Sequence, residues 1–278
     1  MSDDEALKQL NRSGFPFQLK VEHDVRESSR KGHAWEVASR EHPWSTTESS
    51  GFIDIVLQQS TFRLAIECKR VKADDARQLR WLFLIPDLDA VEVSRASSFE
   101  VESDIGARIW DDVQVFPFSY ESGFCVLQGD DPRRQPLLES LAKEVLESTE
   151  GLAQEELSAH KSIQHRHIRL FLFPMIVTNA KIAICRFDPS RIDLRDGTLG
   201  SGDAEILEVP FIRFRKSLAT EFPDGAFYTL EGASRARERT VFVVNASCLT
   251  DVLGKWDMKR MSDRMYAIER LVKGERSE

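Results

Sequence analysis

The 278 residues carry 38 Lys and Arg against 46 Asp and Glu, a net charge of −8, and 41% of them are hydrophobic. With 17 Phe but only 14 Gly and 10 Pro, the composition is globular and large enough to bury a core without staples, which excludes a disordered or collagen-like chain. The acidic balance also excludes a polycationic coat for nucleic acid, although it leaves room for a local basic groove.

The opening stretch MSDDEALKQLNRSG is acidic and polar, so a secretory signal is not expected there and residues 1–14 read as a loosely docked arm. Phe17, Val21 and Val25 recur every four positions, which predicts a helix over 17–31 that stops at Gly32. Residues 33–40 alternate as a strand, and the Pro-, Ser- and Thr-rich stretch His42–Ser50 reads as a loop. Gly51–Leu57 and Thr61–Arg70 are β-branched, apolar strands joined by Gln58-Gln59-Ser60. Arg80–Ile85 is a third strand candidate, whereas 87–130 reads as a polar insertion with short strands at Val113–Phe118 and Gly123–Leu127. From Arg134 to about Lys161 the period becomes helical, with an expected break at Gly151. Ile168–Phe173 and Met175–Phe187 are expected as a strand pair around Thr178-Asn179. A Gly/Asp/Ser-rich loop follows over 188–209, then the strands VPFIRFR and RTVFVVNA and a last helix from about Leu249 to Lys273. The division expected is one domain over 1–187, carrying the insertion, and a β-rich C-terminal region over 188–278 that ends in a helix.

The longest strongly apolar run, Phe171–Val177, is interrupted by Pro174 and far too short to cross a bilayer, so no membrane partner is expected. Cys68, Cys125, Cys185 and Cys248 form no C-x-x-C pair. They read as reduced thiols of a cytoplasmic protein rather than a zinc site or disulfide framework.

The feature that carries chemistry is Asp54 on one strand, followed thirteen positions later by Glu67-Cys68-Lys69 on the next. Side chains alternate along a strand, so Glu67 and Lys69 share a face while Ile66 and Cys68 take the other. A short turn makes the strands antiparallel and can bring Asp54 beside Glu67. Two adjacent carboxylates repel unless a hard cation joins them, and Mg²⁺ takes one or two carboxylates together with water and substrate phosphate. A lysine on the same face can orient or deprotonate a metal-bound water. Glu-x-Lys by itself would be no more than an edge-strand ion pair; the preceding Gly-x-x-Asp strand is what makes it informative.

Gly51-Phe52-Ile53-Asp54 and Ile66-Glu67-Cys68-Lys69, within a helix–strand–strand–strand–helix–strand order, resemble the PD-(D/E)XK nuclease superfamily. The literal Pro-Asp pair is missing, since Ile53 precedes Asp54. The resemblance implies an α/β restriction-endonuclease-like core, a mixed central sheet flanked by helices. It implies Asp54, Glu67 and the Cys68 carbonyl as ligands of Mg²⁺ (or Mn²⁺), and Lys69 as the water-activating residue. Many members carry a further glutamate on the helix before the first strand, and Glu22 fits that place, with Glu36 and Glu41 as alternatives. Gln78 resembles the extra glutamine of some subfamilies. The implied activity is metal-dependent hydrolysis of phosphodiester bonds, in DNA first and RNA second, in restriction, defence or repair. A homodimer, and an activating partner, are compatible with it. The alternative from another class is a binding or effector protein that keeps the fold without the activity.

Other signals carry less. His160, His165 and His167 lack further zinc ligands nearby and read as a solvated turn. No GxxxxGK[ST] loop or nucleophile elbow occurs. Residues 210–278 have a balance of +3 against −11 for the rest. Within them Arg213, Arg215 and Lys216, and the alternating Arg235, Arg237 and Arg239, could track a phosphate backbone. A solvated strand face is the plain alternative, and Arg133-Arg134 read as surface charges.

Overall fold

A computed structural model describes residues 2–71, 80–102, 107–127, 137–161, 169–219 and 229–259. Two helices open the chain, α1 (Asp3–Ser13) and α2 (Phe15–Arg30), followed by β1 (Glu36–Ser45), β2 (Ser50–Gln59), β3 (Phe62–Lys69) and β4 (Arg80–Ile85). Next come β5 (Val93–Glu102), β6 (Ala107–Ser119), β7 (Glu121–Ser122), β8 (Cys125–Leu127) and the long α3 (Leu137–Lys161). The remainder is β9 (Arg169–Thr178), β10 (Lys181–Phe187), β11 (Ala204–Glu208), β12 (Phe211–Ser217), α4 (Leu230–Ala236), β13 (Glu238–Asn245), α5 (Leu249–Gly254) and β14 (Asp257–Lys259).

The architecture is mixed α/β. A ten-stranded mixed sheet runs β1-β2-β3-β9-β13-β12-β7, with β5 on β9, β6 on β5, and β14 on β6. Antiparallel pairing joins β1, β2 and β3, whereas β3, β9 and β13 are parallel. A second sheet of four strands runs β11-β10-β4-β8. α2 covers one face of the large sheet, where Val21 and Val25 join Ile55, Leu57, Leu64 and Ile66. α3 covers the other, through Leu152 and Leu157 on Ile53, Val56 and Ala65. Its first turns meet Ile176 and Val243 of the large sheet together with Phe83 and Ile184 of the second. Apolar residues on two flanks of one long helix are what let it serve both sheets. Among the described residues no helix is long and apolar enough to cross a membrane.

Several expectations are corrected. The opening arm is a helix, α1, closed by a capping box in which Ser2 and Glu5 exchange hydrogen bonds. Strand β1 continues through the expected loop to Ser45, and only Thr46–Ser49 turn. The supposed polar insertion contributes a long hairpin, β5 and β6, that joins the large sheet through β9. The stretches read as one strand pair around Thr178-Asn179 part company, β9 in the large sheet and β10 in the second. Residues 204–208, read as loop, form β11 on β10. The helix expected over 249–273 ends at Gly254, and Asp257–Lys259 pair with β6. Gln78, Arg133, Arg134, His165 and His167 lie outside the described residues.

Pro174 explains how β9 can be central. Phe171 donates its N–H to Thr61 at the start of β3, so by alternation the even-numbered N–H groups of β9 point away from β3. On that side β5 pairs up to Leu172 and β13 begins at Met175. The missing donor of Pro174 therefore falls in the gap between the two partners, where it costs no ladder bond.

Helix α3 runs unbroken through Gly151 because that residue is where the ring of Trp44 lies against it. A Cβ at Gly151 would stand 2.8 Å from Trp44 Cε3, and one at Gly51 3.2 Å from Trp44 Nε1. The indole thus lies against both glycines. Gly→Ala inside a helix ordinarily gains about 1 kcal/mol, but overpacking costs about 1–3 kcal/mol. Gly151→Ala is therefore expected to lower the thermal unfolding midpoint by several degrees; a raised midpoint would show that Trp44 has room to move.

Candidate active site

The antiparallel registers build the site. Arg40 and His42 of β1 oppose Ile55 and Ile53 of β2, which sets Glu41 across from Asp54. Ile55 in turn opposes Ile66 of β3, so the next pair outward is Asp54 and Glu67. Residues directly opposite in antiparallel strands are close neighbours. Glu41, Asp54 and Glu67 thus form a row across three strands, and Lys69 follows Glu67 by two positions on the same face of β3.

Hydrogen bonds fix the row. Cys68 donates its backbone N–H to Asp54 Oδ2 at 2.7 Å. From α2, Gln18 Nε2 donates to Glu41 Oε1 and to the main-chain oxygen of Asp54, the latter at 3.1 Å. Glu41 has a φ of 45°, a left-handed conformation that is uncommon for a residue with a side chain and marks a place where the surroundings over-determine the backbone.

The electrostatics follow from burial and crowding. Burial, with the charge of Glu41 added, pushes the Asp54 carboxyl up to about 6, against the Cys68 N–H bond and the charge of Lys69. Burial, then the charges of Asp54, Glu144 on α3 and Glu41, push Glu67 up to about 8, again opposed by Lys69. The Cys68 thiol is raised by burial and stays protonated. Buried acids that resist ionising, crowded by further carboxylates, are relieved by a cation. The donor set (carboxylates, main-chain oxygen, water) suits Mg²⁺ or Mn²⁺. Among the described residues no three His, Cys, Asp or Glu side chains gather closely enough to enclose an ion by themselves, so water would have to complete its shell.

The remaining expected site residues are distributed differently. Glu22, 6% exposed, is engaged by Arg26 Nε at 2.8 Å on Oε1 and faces Arg40 NH1 at 3.7 Å on Oε2. α2 reaches Asp54 one turn earlier, through Gln18, and Glu36 lies beyond the row at the other end of β1, opposite Gln58. Arg213 is 0% exposed. It donates to Ser119 Oγ and to the carbonyls of Val115 and Pro117, so it is a core residue that no phosphate reaches. Arg215 is clasped by Asp112 through both terminal nitrogens and by Glu238 through Nε. Lys216 pairs with Glu139 of α3, and Arg235 with Glu231 on α4. Arg237 closes α4, its N–H returning to the last turn. Arg239 bonds the carbonyls of Ala236 and Glu238 and lies 5.1 Å over the Trp110 ring. The six basic residues therefore do not form one phosphate-tracking row; for Arg213 and Arg215 the reason is that oxygens of the protein itself already take their donors.

Sequence reading missed Gln18. Helical spacing puts Gln18 and Glu22 on one face, four residues apart, but cannot say which turn meets the sheet. No family model, no curated protein and no solved structure matches the chain.

Proposed function

We propose that the protein is a divalent-cation-dependent nuclease of the PD-(D/E)XK kind, with a restriction-endonuclease-like core, acting on phosphodiester bonds in DNA. The observation that carries this reading is the carboxylate row of Asp54 and Glu67, with Lys69 beside it, set on paired strands between α2 and α3. In this reading Asp54, Glu67 and the Cys68 carbonyl hold Mg²⁺ or Mn²⁺. The ion supplies charge for the phosphate oxygens and a more acidic water. The Cys68 N–H fixes one oxygen of Asp54, and the other would be available to the ion. Lys69 orients the attacking water by hydrogen bonding and offsets charge that develops on the phosphate. The apolar cluster of Ile53, Val56 and Ala65 against α3 keeps these groups on a rigid, dry support.

The test is purified protein with plasmid, linear duplex, single strands, RNA and bis(p-nitrophenyl) phosphate, in Mg²⁺ or in EDTA. Cleavage of DNA is expected with Mg²⁺, with loss in EDTA and in Lys69→Ala. Cleavage that survives both would sink the reading, and Mg²⁺ binding without cleavage of any substrate would favour the binding or effector role. Because Glu67 sits at about 8 and Asp54 at about 6, the ion must displace protons below those values. Cleavage at limiting Mg²⁺ is therefore expected to rise by up to about tenfold per pH unit between 6 and 8 and then level off. A profile flat over that interval would contradict the assignment.

A further inference from the structure

The structure assigns Asn179 as the positioning residue of Lys69; this rests on the nuclease reading above, in which Lys69 orients the attacking water. The three parallel strands end together: Lys69 of β3 pairs with Thr178 of β9, and Thr178 with Asn245 of β13. Lys69 is therefore the last residue of its strand that the main-chain ladder holds. Among the described residues no hydrogen bond or ion pair anchors its ammonium, so its main chain is what aims it. The end of a strand frays unless the chain beyond it is tied down.

Asn179 supplies that tie. Its Oδ1 accepts the N–H of Val71 at 2.6 Å, and its Nδ2 donates to the Val71 carbonyl at 3.0 Å. One side-chain amide thereby does for Val71 what a residue of a neighbouring strand would do, with a donor and an acceptor side by side. The Val71 side chain also packs against the cluster of Trp81, Phe83 and Ala142 under α3. Lys69 is thus bracketed by the ladder before it and by a fixed residue two positions on. The support of Asn179 is itself rigid, since its neighbours Thr178 and Ala180 are both buried. Thr178 Oγ1 accepts the Ala180 N–H at 3.1 Å, and Asn245 Nδ2 donates to the Ala180 carbonyl at 2.7 Å. An exposed turn asparagine ordinarily bonds its own close neighbours in sequence. This one reaches back 108 positions, to the segment that carries Lys69.

The experiment is hydrolysis of bis(p-nitrophenyl) phosphate in Mg²⁺ by the full chain, wild type and Asn179→Ala, with NMR of both proteins labelled with ¹³C at the lysine Cε. The Lys69 signal is assigned by its loss in Lys69→Arg. Asn179→Ala is expected to lower kcat by about 10–100-fold, because a small misplacement of a catalytic group costs rate on that scale. KM and the Mg²⁺ dependence are expected to stay, since Asp54 and Glu67 are held from other elements. The Lys69 signal is expected to move to the position of the exposed Lys8, whose own signal stays. An asparagine that only braces the turn would lower the unfolding midpoint and move neither kcat nor the Lys69 signal. An unmoved Lys69 signal, or a kcat equal to that of the wild type, would overturn the assignment. If the wild type cleaves while either is found, only this inference falls. If the wild type does not cleave, the nuclease reading falls, and the Lys69 signal alone decides whether Asn179 places that side chain.

Discussion

Replacing Glu67 by Gln is expected to abolish phosphodiester cleavage and, at once, to stabilise the cation-free fold at pH 8. Both effects have one origin. Glu67 holds its proton to about 8 because it is buried beside Asp54, Glu144 and Glu41. A carboxyl raised in the folded state binds its proton more tightly there than in the unfolded chain. Its contribution is thus most favourable below the unfolded value near 4.5 and is lost as pH rises through 4.5 to about 8. Asp54 adds a smaller loss between 3.8 and about 6. Gln at position 67 cannot ionise and escapes its share, which after allowance for solvent screening is about 2 kcal/mol at pH 8. The activity moves the other way. If Glu67 is a ligand of the proposed cation site, its loss, which also removes charge at the reacting phosphate, costs at least about 10³ in rate. Added Mg²⁺ should then raise the unfolding midpoint of the wild type but not of Glu67→Gln, since stabilisation follows binding to the folded state. Denaturant titrations at pH 5 and 8, with and without Mg²⁺, read all of this. A variant that cleaves normally, or that is less stable than wild type at pH 8, would contradict the role given to Glu67.

The largest effect on folding is expected at Arg213. Its guanidinium is sealed in the core, donating to Ser119 and to the main chain of β6 at Val115 (2.6 Å) and Pro117 (3.1 Å). It also lies 5.3 Å over the Phe242 ring and 5.8 Å over that of Phe211. Burial lowers its pKa to about 10, which leaves it charged at any ordinary pH. Truncation to Ala would orphan the buried carbonyl of Val115 and the half-buried one of Pro117, and open a cavity between β12 and β6. Arg213→Ala is expected to cost about 3–5 kcal/mol of unfolding free energy. Arg213→Lys is expected to lose most of that too, because an ammonium cannot reproduce the planar fork. Urea denaturation measures it. A variant that folds as well as wild type but binds DNA less tightly would restore the phosphate-contact reading of this residue.

The difference between those two residues shows what kind of information one sequence carries. Asp54, Glu67 and Lys69 were readable because antiparallel neighbours joined by a short turn are adjacent in the chain, so alternation alone places them. Arg213 alternates just as well in β12, but which face of a strand is covered depends on β6, nearly a hundred residues away. The β5–β6 hairpin was hidden for a related reason. Its buried positions include Ser97, Ser98 and Glu100, polar residues that become core only through distant partners. Ser97 and Thr240 of β13 exchange backbone-to-hydroxyl hydrogen bonds, and Glu100 receives Arg169 of β9. At the site itself, helical periodicity gave the face of α2 but not its position along the axis. One turn, about 5.4 Å, separates Glu22 from Gln18. The Ser2-x-x-Glu5 capping box of α1 is a local signal that the reading of residues 1–14 as an arm missed.

The parallel run β3-β9-β13 also orders events in time. Strand β3 finds its neighbour β9 only after α3 has been made, and β9 meets β13 later still. Until Glu238–Asn245 emerge from the ribosome, the Met175–Thr178 edge of β9 is an open, apolar template for any other extended chain. Long-range parallel pairing of this kind is slow, and unsealed edges recruit aggregation or chaperones. The acids are synthesised early, and the strand that closes the sheet behind them arrives late.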